Sequence, residues 1–82
     1  MTEYYKTVNK KGEGVAFFIS TPEDEYVHLR CIESSIKNFT KNSYYYIAAT
    51  NIGKDINGYT LVLCSDSEKC LLTIKTNGGK NV

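Results

Sequence analysis

Six short runs of β-favouring residues, each set off by turn residues, constrain this chain more than any other feature. They are TEYYKTVN, GVAFFIS, EYVHLRCI, SYYYIAATN, GYTLVLCS and CLLTIKTN. Tyr, Val, Ile, Phe and Thr suit a pleated, half-buried surface. The segments between them, KKGEG, TPEDE, IGKDING and SDSEK, supply the Gly, Asn, Asp and Ser that reverse a chain. Gly12 and Gly14 are expected to take the positive φ angles of a tight hairpin. The third run also fits a helical stripe through Tyr26, Leu29, Ile32, Ile36 and Phe39, with Thr21-Pro22-Glu23-Asp24 resembling a helix start. The alternation of Val27, Leu29 and Cys31 with polar or aromatic neighbours decides for a strand, with a short helical turn in SSIKNF. The pattern predicts an all-β domain, a small barrel or sandwich.

The chain has 82 residues, enough for one small core. We read residues 1–76 as a single domain and 77–82 as a flexible tail. Ten basic and nine acidic residues leave a net charge of +1, so no strong field recruits nucleic acid or an anionic membrane by charge alone. The N-terminus MTEYYKTVNKKGEG has no apolar signal region, and no run nears the ~20 apolar residues that span a bilayer. The expectation is a cytoplasmic protein with no membrane partner. Three cysteines, Cys31, Cys64 and Cys70, form no C-x-x-C pair, and their odd number argues against a disulfide framework or zinc site. No cofactor or metal is expected. With one histidine and no evident base beside a Ser or Cys, no catalytic triad assembles, and no enzymatic activity is expected.

The one histidine lies in DEYVHLR. In a strand, Tyr26, His28 and Arg30 share one face while Val27, Leu29 and Cys31 share the other. The first set either forms a half-exposed, solvated face or meets a ligand by stacking. Lys10 and Lys11 beside Gly12 are placed either to hold a phosphate or to form a solvated hairpin tip. In the triple tyrosine, Tyr44 and Tyr46 share one face and Tyr45 takes the other. At least one is expected in the core, and an exposed pair would widen a stacking surface or form a protein-binding patch. LCSDSEKCL reads as a hairpin with Cys64 and Cys70 facing each other across two strands.

In order, KGEGVAFFIS, EYVHLRCI, a polar stretch and YYYIAAT resemble the cold-shock domain. That family carries K-G-F-G-F-I on its second strand and V-F-V-H-F on its third. The counterparts here are Lys11-Gly12-Glu13-Gly14-Val15-Ala16 and Glu25-Tyr26-Val27-His28-Leu29, and the similarity covers residues 3–63. The outward phenylalanines of the family's first motif fall on Glu13 and Val15, and the position after the histidine is Leu29. Phe17 would supply a lost ring on the same face, and Tyr5 would replace the family's first-strand tryptophan.

The resemblance implies a five-stranded oligonucleotide-binding barrel, here with an additional C-terminal strand or hairpin, that stacks bases on one sheet face. It implies binding of single-stranded RNA or DNA at Tyr5, Lys11, Val15, Phe17, Tyr26, His28 and Arg30. The rival is a protein-interaction module, a small regulator or inhibitor from a mobile element, that keeps the barrel and has lost its platform. Glu13, if it faces that platform, opposes phosphate. Neither reading fixes the oligomeric state.

Overall fold

A computed structural model describes residues 3–23 and 26–80. The chain forms β1 (Glu3–Val8), β2 (Gly14–Glu23), β3 (Tyr26–Ser34), β4 (Tyr44–Ala48), a 3-10 turn (Ala49–Asn51), β5 (Asp55–Ile56), β6 (Tyr59–Leu63) and α1 (Ser67–Lys80). All pairings are antiparallel, in the order β4-β3-β2-β1-β6-β5. The first four strands form a meander, and β6 returns to the far side of β1. The sheet curls into a half-barrel whose edge strands β4 and β5 are not hydrogen-bonded to each other. The mostly antiparallel β architecture agrees with the sequence reading.

Local chemistry sets the turns. Asn9 Oδ1 accepts hydrogen bonds from the Lys11 and Glu13 amides, both at 3.0 Å, and Gly12 takes a φ of +80°. Gly14 is not at positive φ. Asn57 and Gly58, with φ of 55° and 88°, form the two-residue reversal between β5 and β6, as an Asn-Gly pair favours. The IGKDING segment therefore contains a short strand as well as turns. The loop after β3 is fastened at its base by Cys31, whose amide donates to Ser43 O and whose carbonyl accepts from Asn42 N.

Two irregularities bend β2 against its neighbours. The register shifts between Thr7 and Val8 on the β1 side and between Phe17 and Phe18 on the β3 side. Extra residues of this kind increase local twist and let a sheet curl. The concave face holds the core: Tyr5, Ala16, Phe18, Val27, Leu29, Cys31 and Leu61, with Phe39, Tyr45, Ile47 and Ile52 packed against them. Burying each large apolar side chain contributes about 1.5–3 kcal/mol.

The C-terminal segment departs from the sequence reading. CLLTIKTN is not a strand but the body of α1, which runs from Ser67 to Lys80. Asp66 caps it: Oδ1 accepts from the Lys69 amide at 3.1 Å, and Glu68 lies in the first turn, where the helix dipole favours an anion. Ile74, 1% exposed, carries the docking contact with the sheet. Asp24, Glu25 and the tail residues 81–82 lie outside the described residues.

The helix lies on the convex face, mainly against β2, and Ile74 packs beside Gly14. A Cβ at Gly14 would stand 3.5 Å from Ile74 Cγ1, ordinary van der Waals contact. Gly14→Ala is therefore expected to keep the helix docked and to gain about 0.4–1 kcal/mol by restricting the unfolded chain. Gly14→Leu should displace α1. Chemical denaturation of both variants, with circular dichroism reporting helix content, checks this; equal helix content and stability in the two would contradict the docking geometry.

Where β6 runs into α1, the free thiols of Cys64 and Cys70 are within hydrogen-bonding reach. Burial pushes the Cys64 thiol up to about 12, the hydrogen bond and charge of Cys70 reinforce the shift, and Lys6 opposes it. Its ordinary value is 9.0. Below that pH both folded and unfolded chains keep the proton, so the contribution to stability is complete. As pH rises from 9.0 towards about 12 the unfolded chain releases the proton first, and stability falls. Thermal melts across this window should show a steeper loss for the parent than for Cys64→Ala. Parallel pH profiles would show that the thiol is not shielded.

Candidate functional site

The convex face divides into two halves. At the Gly14 end of β2 it lies beneath α1. At the other end the register builds three open rows across β2, β3 and β4. One row sets Thr21 opposite His28 and His28 opposite Tyr46; the next sets Ile19 opposite Arg30 and Arg30 opposite Tyr44; the third sets Tyr26 opposite Ala48. Side chains directly opposite on one face are near neighbours. The His28 and Tyr46 rings meet edge to face with centroids 4.4 Å apart. Tyr26, Tyr44 and Tyr46 are 54%, 69% and 66% exposed, and Arg30 is exposed with them.

Strand alternation produces this face. In β3, Val27, Leu29 and Cys31 are buried, whereas Tyr26 and Arg30 are exposed and His28 is half-buried. β4 continues the pattern: Tyr45 turns inward, its ring 5.9 Å from Phe18, and its hydroxyl accepts a hydrogen bond from the Thr40 amide at 2.8 Å. Tyr44 and Tyr46 consequently turn outward. The result is four rings and one guanidinium on neighbouring positions of an open surface. Thr21, His28, Arg30, Tyr44 and Tyr46 also border a depression of about 430 Å³ there.

The structure brings together three of the seven residues read from the sequence, Tyr26, His28 and Arg30. The other four lie elsewhere. Tyr5 is in the concave core, its hydroxyl donating to Glu3 Oε2 at 3.0 Å, and burial, reinforced by Glu3, raises its pKa. Val15 and Phe17 do sit on the convex side, but both are buried where α1 crosses β2, and Phe17 stacks on Tyr4 with centroids 5.5 Å apart. None of these three offers a base an open ring or side chain. Lys11 is exposed at the β1–β2 hairpin tip, at the opposite end of β2 from Thr21 and His28.

Glu13 lies at that same distant end, accepting from Asn9 Nδ2 at 3.1 Å. It does not face the open rows, so it does not oppose an anion there. Tyr44 and Tyr46 are the residues missing from the sequence-derived set. Their signal is the i, i+2 spacing within Tyr44-Tyr45-Tyr46, which shows a shared face but not which strand they adjoin.

Among the described residues no group of His, Cys, Asp and Glu side chains could hold a metal ion, and no helix is long and apolar enough to cross a membrane. Burial raises the Cys31 thiol pKa, so Cys31 behaves as a core side chain and not as a nucleophile. Compared with protein-family models, curated proteins and solved structures, the chain matches none.

Proposed function

We propose that this protein binds single-stranded RNA or DNA by stacking bases on the open half of its convex face. The observation that carries this reading is the convergence of Tyr26, His28, Tyr44 and Tyr46 with Arg30 in three adjoining rows. Flat rings on a rigid sheet stack on any base, each stack being worth about 1–3 kcal/mol, and a nearby guanidinium can contact phosphate. On this reading the half-barrel is an open, divergent form of the oligonucleotide-binding barrel, with six strands instead of five. The nearly balanced charge of the chain fits a binder that relies on stacking more than on its field.

A second reading has its own support. β4 is an edge strand that carries Tyr44 and Tyr46 on one exposed face. An unpaired edge with exposed tyrosines suits a protein partner that adds a strand to the sheet. The partner would pair with the β4 backbone and cover the same rings.

Titration of labelled oligo-dT and oligo-U distinguishes the two. Tyr26→Ala, His28→Ala, Tyr44→Ala and Tyr46→Ala should each weaken binding by about 1–3 kcal/mol with little change in melting temperature. Leu29→Ala, which truncates a core side chain, should instead destabilise the fold by roughly 2–5 kcal/mol. Absence of binding at tens of micromolar protein in low salt would favour the strand-addition reading.

The salt dependence is a separate test. With Arg30 the guanidinium of the open rows, the slope of log affinity against log salt should correspond to about two or three phosphates. A slope equivalent to about six or more would mean that charge distributed over other surfaces drives binding, contrary to a stacking platform.

A further inference from the structure

The concave side holds a second feature, which meets the convex platform only at Tyr46. Between the unpaired edges of the half-barrel lies a cavity of about 420 Å³, within the range of small-molecule sites. Phe39 reaches over it from the β3–β4 loop and meets Phe18, Tyr45 and Tyr59 edge to face, with centroid distances of 5.4, 5.7 and 5.8 Å. Aromatic rings therefore form one part of its wall, beside aliphatic and amide side chains. Thr7 also lines it, 5% exposed, and Thr7 Oγ1 is the one buried side-chain polar atom among the described residues without a hydrogen-bond partner. A buried hydroxyl left in this state costs about 1–3 kcal/mol, so a ligand group that bonds to it would gain from doing so.

The lining also carries a charge asymmetry. Lys54 is its one charged side chain, accompanied by the amides of Asn38, Asn51 and Asn57, and no carboxylate lines the space. An aromatic floor, an unpartnered hydroxyl and a cationic, amide-rich border together select for a flat molecule with a polar edge and an anionic substituent. We propose that this cavity binds a free planar aromatic anion, a small ring system carrying a carboxylate or phosphate. The ring enters the Phe18, Phe39, Tyr45 and Tyr59 cluster, its polar edge meets Thr7 Oγ1, and the anion lies against Lys54. This site opens towards the other side of the sheet from the proposed oligonucleotide platform and shares with it only Tyr46, at the β4 edge.

Titration of the full chain followed by amide NMR tests the proposal, using adenosine 5′-monophosphate and indole-3-acetate as probes, with adenosine and indole-3-acetamide as neutral counterparts. The two anions separate the phosphate and carboxylate sources. At least one should give saturable shifts at Thr7, Phe39, Lys54 and Leu61, and should bind more tightly than its neutral counterpart. Thr7→Val should weaken that probe roughly three- to tenfold, and Thr7→Ser should restore it. Lys54→Gln, an exposed change that leaves the core intact, should remove the preference for the anion. The proposal is overturned if neither anion gives saturable shifts up to about 5 mM. It is equally overturned if the shifts fall on Thr21, His28, Arg30 and Tyr44, if Lys54→Gln leaves the anion preference unchanged, or if the cavity amides respond to protein concentration alone. The last result would make a second copy of the chain the occupant.

Discussion

β2 must be covered on both sides. Val15, Ala16, Phe17 and Phe18 are consecutive and all buried, so an alternating strand sends apolar side chains to both faces over the same short stretch. Ala16 and Phe18 enter the concave core, which β1, β3 and β6 curl around. Val15 and Phe17 need cover on the other side, where α1 packs on β2 with Ile74 against Gly14 and Tyr4 stacks on Phe17. The rest of the architecture follows from this requirement.

The helix therefore also determines where ligand chemistry can lie. It occupies the Gly14 end of the convex face and leaves the Ile19–Thr21 end open, where β3 and β4 contribute His28, Arg30, Tyr44 and Tyr46. The exposed charges of the β1–β2 hairpin, Lys10, Lys11 and Glu13, are consequently remote from the rings. The concave side is organised differently: its core is sealed near β2 but opens between the edges, where polar residues from the loops reach the cavity. One curled sheet thus presents an exposed aromatic surface on one side and a recess between its edges on the other.

Much of this was legible in the sequence. The first four strands, the register of Val27, Leu29 and Cys31, the reversal within KKGEG and the division of the triple tyrosine all follow from period-two alternation and turn chemistry. The errors have specific causes. GVAFFI is a continuous apolar run, the mark of a strand buried on both faces; reading it by alternation alone made Val15 and Phe17 surface residues. The β-favouring content of CLLTIKTN suggests a strand, whereas Asp66 as a cap and the i, i+4 pair Cys70 and Ile74 mark a helix that packing completes. The family pattern places Tyr5 on the binding face, whereas strand parity puts it inside. The convergence of Tyr44 and Tyr46 with β3 required the pairing register, which local sequence does not encode.

The position of β1 has a consequence for the order in which this molecule can be assembled. It pairs with β2 beside it in sequence and with β6 near the far end of the sheet-forming chain: Tyr5 lies opposite Leu63, and the Cys64 amide donates to Tyr4 O. A chain made from its N-terminus can form the four-stranded meander early, from neighbouring segments. Until Tyr59–Leu63 arrives, however, β1 has an unsatisfied edge. The closing step joins distant parts of the chain and carries the largest loop-closure entropy in the fold. Tyr59 and Leu61 come with β6, so the concave recess exists only after that late pairing, whereas the His28, Arg30, Tyr44 and Tyr46 rows are complete as soon as β2, β3 and β4 meet.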